Sequence, residues 1–214
     1  MYTIKLTTIA LSTALLLTAC GGGGSDSSGT GSSSNEIAPE RAKTTALSGT
    51  VSSLPQTITT VRDAISAARA VPTTCPSGTK YDNALNDFSA PKKNVTVGTN
   101  FTLTDVAEAH ATDLATYDYF SHRSRNGSGN AETDLNKRLS DGGYSTAGLS
   151  YSENIAGGTN TDTIEAAIEQ WKKSPAHCDS FMNPAYKTIG VGYANNDNST
   201  YKNYWVLILS SKDS

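Results

Sequence analysis

Two segments near the end of the chain, Thr188 to Ala194 (TIGVGYA) and Tyr204 to Leu209 (YWVLIL), constrain its fold most. Both are rich in β-branched and aromatic residues, and Asn195 to Thr200 between them supplies turn chemistry, so they predict an antiparallel hairpin. Helical patterns precede it. Thr57 to Ala70 places Ile58, Val61, Ile65 and Ala68 at helical spacing, with Pro72 as a stop. Residues 102 to 120 put Leu103, Val106, His110, Leu114 and Tyr117 on one stripe, with Thr104 placed to cap the start. A short helix is expected from Glu132 to Ser140, ending at Gly142-Gly143. In Asp162 to Ser174, Asp162 and Glu165 resemble a capping box, and Ile164, Ala167, Ile168 and Trp171 recur at i, i+3, i+4 and i+7. Pro175 then ends the helix, so His177 is expected on a loop. Helices followed by antiparallel strands indicate an α+β domain with helices packed on a sheet.

The domain does not begin at residue 1. Residues 1–19 carry one early lysine and an apolar run from Ile9 to Leu17, the layout of a secretory signal and too short to span a membrane. Leu17-Thr18-Ala19-Cys20 resembles the bacterial lipoprotein cleavage box, in which Cys20 becomes the lipidated first residue; an exported chain with a stray cysteine is the alternative. The run GGGGSDSSGTGSSSN over residues 21–35 cannot bury apolar surface and behaves as a coil with a reach of about 20 Å. Residues 20–55 are therefore read as a flexible tether, and residues 56–214 as one folded domain without internal repeats.

The net charge is −3, and no Lys/Arg cluster exceeds a doublet, so nucleic acid is excluded as an expected partner. Of three cysteines, lipidation would consume Cys20 and leave Cys75 and Cys178, an even pair that in an exported protein reads as a disulfide. The competing reading is a Cys178 nucleophile assisted by His177. The bridge would pin residues 71–101, a long Pro/Gly/Asn/Thr-rich loop with one short strand. Sequons occur at Asn94, Asn100, Asn126 and Asn198, which a bacterial lipoprotein would ordinarily leave unmodified.

Five phrases stand in a telling order: HATDLATYDYFSH (110–122), SENIA (152–156), WKKSPAHCDSFMNP (171–184), IGVGYA (189–194) and YWVLIL (204–209). Together they resemble the CAP superfamily, or SCP domain, in its bacterial secreted form. The resemblance implies an α-β-α sandwich with a central antiparallel sheet and a broad cleft receiving two histidines and two glutamates. Carried over by position, these fall on His122, Glu153 and His177; the fourth falls on Ser174, where eukaryotic members have glutamate and bacterial ones commonly serine. Ala176, Ser152 and Ser180-Phe181 also depart from the usual phrases, and the tryptophan often found before the second helix is missing. The family is associated with binding sterols and other lipids outside the cell, which implies a lipid or small-molecule ligand for an envelope-anchored protein.

Chemistry leaves several readings open. Two imidazoles and a carboxylate make a three-ligand set for Zn²⁺ or another divalent ion, able to activate water. That would suit a metal-dependent hydrolase or protease with Glu153 as ligand or general base, although no H-E-x-x-H spacing is present. The same three groups also suit a hydrogen-bonded structural triad in an interaction module. A Ser174-His177-Glu hydrolase lacks a G-x-S-x-G elbow. His110, on an apolar helix face, reads as a core histidine or a secondary site residue. Ligand identity and oligomeric state stay open.

Overall fold

The computed structural model describes residues 45–53, 56–82, 102–125 and 132–212. The signal segment, Cys20, the Gly/Ser run and the sequons at Asn94, Asn100 and Asn126 lie outside them. The predicted hairpin forms, as β6 (Thr188–Asn195) and β7 (Asn203–Ser210). A third strand, β5 (Tyr151–Gly157), pairs on the other side of β7 in register Glu153↔Ile208, giving an antiparallel sheet in the order β5-β7-β6. The SENIA phrase carries no strand signal of its own, because Ser152, Glu153 and Asn154 break the apolar signature of a strand.

Every residue of β7 is buried, so both sheet faces are covered. Alternation along β7 sorts the two layers. Trp205, Leu207 and Leu209 join a core with α1 (Ile58–Arg69), α4 (Ile164–Lys173) and α5 (Pro175–Met182). Tyr204, Val206 and Ile208 face α2 (Thr102–Tyr117) and α3 (Leu135–Asp141). Helices on both faces make the α-β-α sandwich expected.

The approach of α2 to the sheet depends on Gly190 and Gly192 of the IGVGYA phrase. A Cβ at Gly190 would overlap the backbone of Leu103, and one at Gly192 that of Ala107, both on α2. Gly192→Ala is expected to cost about 1–3 kcal/mol through forced separation of α2 from β6. Urea denaturation reads the loss, and a neutral result would contradict the close packing.

Several boundaries differ from expectation for local reasons. The α4 cap is Thr163, whose side chain accepts from the Ala166 N–H, rather than Asp162. Thr104 lies inside α2, which begins at Thr102. The third helix starts later than expected because Glu132–Thr133 forms strand β4 against β3 (Ser124–Arg125), and Asp134 then caps α3. Around Cys75 there are two short strands, β1 (Thr73–Thr74) and β2 (Lys80–Tyr81), which pair with each other. The largest correction concerns Pro175: it terminates α4 but also occupies the first turn of α5, where a missing N–H costs nothing, so His177 sits on a helix and not a loop. Ser174 does adopt the extended backbone expected before proline.

Residues 45–53, which the sequence placed in the tether, lie against the domain. The Leu47 N–H donates to Thr116 O at 2.8 Å, Ser52 bridges to Asn195, and Val51 packs on the α2 core.

Candidate functional site

Strand alternation decides which way each residue of SENIA faces. Ile155 belongs to the α2/α3 core and Ala156 to the α4/α5 core, so Glu153 shares the α2/α3 side and Asn154 the α5 side. Asn154 Nδ2 donates to the His177 carbonyl at 2.9 Å, tying α5 to β5. The C-terminal end of α5 is capped by the buried Arg69, whose guanidinium donates to the carbonyls of Phe181, Asn183 and Tyr186. Its other support is the Cys75–Cys178 disulfide, with a Cα–Cα distance of 5.6 Å. Cys178 is therefore a staple, and the nucleophile reading falls. The Ser77 hydroxyl donates to Asp179 at 2.8 Å, adding a second tie beside the bridge.

Glu153 and His122 meet directly: His122 Nδ1 lies 3.0 Å from Glu153 Oε1. The His122 and His177 ring centres are 5.7 Å apart. The His122 side chain is 41% exposed while that of Glu153 is 3% exposed, so the pair reaches from the interior to solvent.

A buried carboxylate needs a partner, and it is a residue not anticipated from the sequence. Arg138 of α3 donates from NH1 to Glu153 Oε2 at 2.8 Å and from NH2 to Oε1 at 3.0 Å, a bidentate fork. The same NH2 donates to the His122 carbonyl at 2.9 Å. A signal for it was present, because Leu135, Arg138 and Leu139 share the i, i+3, i+4 stripe by which α3 meets the core, and an arginine there demands an anion.

His110 is fully engaged in the same cluster. A carbonyl only accepts, so Nε2–H donates to Ser121 O at 3.0 Å, and Nδ1 accepts from the Ser124 hydroxyl at 2.6 Å. The two bonds grip the Ser121 backbone and the Ser124 side chain, on either side of His122. His110 Nε2 also stands 3.9 Å from Glu153 Oε1.

Burial pushes the His110 pKa down to about 3, with Glu153 opposing and Arg138 reinforcing the shift. Burial alone would raise the Glu153 pKa, but the Arg138 guanidinium and the hydrogen bonds from Arg138 and His122 outweigh it and hold the carboxyl well below the usual range. His110, neutral at physiological pH, adds little charge to that balance. His177 is lowered to about 4, chiefly by burial and secondarily by the His122 ring.

These shifts set an acid-side dependence. The unfolded chain protonates its histidines near pH 6.5 while folded His110 resists until about 3, so the unfolded state binds more protons in between and stability falls as pH drops through that window. Glu153, ionised in the fold but protonated in the unfolded chain below about 4.5, pulls the same way further down. Urea midpoints are expected to show a loss of roughly 2 kcal/mol from His110 alone between pH 7.5 and 5. Constant stability over that range would contradict the buried, neutral imidazole.

Other candidates are not assembled. Ser174 Oγ is buried without a hydrogen-bond partner among the described residues, so the nucleophile–base contact to His177 is not made. Glu153 hydrogen-bonds His122 and Arg138, completing no Ser-His-Glu triad. The three-donor metal set does not fit either: both Glu153 oxygens are committed to a guanidinium, and among the described residues no group of three or more His, Cys, Asp or Glu side chains is arranged to hold a metal. A cavity of about 490 Å³ between α2 and α3 is lined by His110, Ser124 and Arg138 of the cluster, and neither His122 nor His177 lines it.

Known proteins agree with the motif reading at the level of family. No curated protein matches the chain. An extracellular protein containing an SCP domain from Bacillus anthracis str. Ames is 26% identical, with 50% of this chain and 31% of that chain covered and a TM-score of 0.39. An outer surface protein from Borrelia burgdorferi is 19% identical over 52% of this chain and 74% of that chain, with a TM-score of 0.41. The chain thus spans about a third of the Bacillus protein, and both TM-scores are too low to carry an argument about shape or activity. The sequence profile of the CAP family, the cysteine-rich secretory protein family, matches residues 63–209. That span holds His110, His122, Arg138, Glu153 and His177, and the chain belongs to the CAP family.

Proposed function

We propose that the protein is an exported binding module, anchored to the cell envelope by a lipid on Cys20, whose recognition site lies between His122 and His177. The observation that carries this reading is the support under His122: a half-exposed imidazole whose Nδ1 is held by a buried carboxylate, itself neutralised by Arg138. Such a support fixes a recognition group without rotamer freedom, and rigid presentation lowers the entropic cost of binding. Among the described residues no helix is long and apolar enough to cross a membrane; a lipid on Cys20 would supply the attachment. The ligand is a small molecule or lipid with a polar group for the two imidazoles.

With Glu153 committed to Arg138, a divalent ion such as Zn²⁺ would find only the two imidazoles of His122 and His177 as protein donors, with Glu153 behind Nδ1 as the carboxylate that orients a ligating histidine. Bound there, it would supply Lewis acidity. The hydrolase alternative is weaker, because a carboxyl held ionised by a guanidinium is a poor general base and Ser174 is unpaired with His177.

The soluble chain from residue 36 onward, purified and analysed for metals and for retained small molecules, tests the proposal. A retained species that disappears in His122→Ala and His177→Ala, while both variants keep their melting temperature, is expected. Retention unchanged by both substitutions would refute it.

A further inference from the structure

The orientation of His122 traces back to a residue that never reaches the surface of the site. Glu153 Oε1 is shared by two groups, Arg138 NH2 at 3.0 Å and His122 Nδ1 at 3.0 Å, while Oε2 takes Arg138 NH1 at 2.8 Å. An ionised carboxylate only accepts. The bond to His122 can then exist only with the proton on Nδ1, which leaves Nε2 as the lone-pair nitrogen. The third Arg138 bond, to the His122 carbonyl at 2.9 Å, fixes the backbone that carries this ring. His110 holds the flanking residues through Ser121 and Ser124.

We infer that Arg138 is a positioning residue that sets the tautomer of His122, by keeping both Glu153 oxygens as acceptors and so presenting an unprotonated Nε2 to whatever the site binds. This deepens the binding proposal by specifying what His122 offers: an acceptor or a metal-ligating nitrogen, suited to a ligand hydroxyl, amine or divalent cation and not to a second acceptor.

The inference makes an uncommon demand of the conservative variant Glu153→Gln. Arg138 still requires an acceptor, so it should take the amide oxygen and turn the NH2 group toward His122. Nδ1 must then accept, and the proton moves to Nε2. Arg138→Lys puts a shorter, compact ammonium where the planar fork spanned both carboxylate oxygens and the His122 carbonyl; the backbone hold on His122 is lost, the ring is released from Glu153, and the single tautomer should give way to a mixture.

Long-range ¹H–¹⁵N correlation of the histidine side chains, recorded where the imidazoles are neutral, reads the tautomer directly. The wild type is expected to show His122 protonated on Nδ1, Glu153→Gln to show it protonated on Nε2, and Arg138→Lys to show both forms. Nε2 protonation in the wild type, or a pattern unchanged in both variants, would overturn the assignment. If one variant fails to fold, the other and the wild type still decide. Because the spectra need no ligand, this outcome is independent of whether any species is retained in the binding experiment.

Discussion

Arg138→Ala is expected to lower the unfolding free energy by about 3–5 kcal/mol, near the largest loss expected of any single substitution in this protein. The pair is deeply buried, with side-chain exposures of 8% for Arg138 and 3% for Glu153, so solvent does little to screen the loss. The cost is not the strength of the ion pair; it is the penalty of leaving a carboxylate in the interior without its cation. That distinction is measurable. With Arg138 gone, burial dominates and Glu153 should bind a proton above the pH at which an unfolded glutamate does. Its contribution to the pH dependence then changes sign: the wild type loses stability from this group on acidification, whereas the variant regains some. Chemical denaturation at pH 7 and pH 5 separates the cases, and adding Glu153→Gln to the variant should recover part of the loss. A loss under about 1 kcal/mol would mean the guanidinium is solvated elsewhere.

The Cys75–Cys178 bridge carries the second large effect. The cysteines are 103 residues apart in sequence, and for a closed loop of about that length the chain-entropy model gives ~4.7 kcal/mol, with native bridges commonly delivering 2–5. Replacing both by alanine is expected to cost within that range, and it acts first where function is proposed. Cys178 adjoins His177 on α5, and the strands β1 and β2 would keep only side-chain ties such as Ser77 to Asp179. A double variant unchanged in its urea midpoint would contradict the view that the bridge secures α5. Wild-type protein in reducing denaturant should show the same loss.

Much of this fold was legible because its signals are local. The periodicity of α1, α2 and α4, and the β-rich phrases around Asn195, depend only on neighbours along the chain, and the structure follows them to within a few residues. What escaped was of two kinds. Pro175 carries opposite meanings at a helix end and at a helix start, and only the packing of Phe181 and Met182 into the core decides for the second. Strand β5 is polar at Ser152, Glu153 and Asn154, where it meets the site, and it exists because β7 supplies a partner on that side.

The site divides along the same line. His122, Glu153 and His177, which the structure brings near one another, each sit in a distinctive local string. Arg138 does not, and its meaning depends on a carboxylate 15 residues later in the chain, brought beside it by the pairing of β5 with β7 and the packing of α3. Ser174 stands out by position alone, and its buried hydroxyl has no hydrogen-bond partner among the described residues. His110 kept the core role that its helix face suggested, with the added task of gripping the residues around His122.

The central claim is that a guanidinium and a carboxylate, buried together, hold the imidazole at the surface. A double-mutant cycle on Arg138→Ala and Glu153→Gln, read by urea denaturation at neutral pH, tests it most directly. The account predicts a coupling on the order of 1.5–3 kcal/mol, with the double variant more stable than Arg138→Ala alone. Additive losses, with no coupling between the two positions, would contradict it.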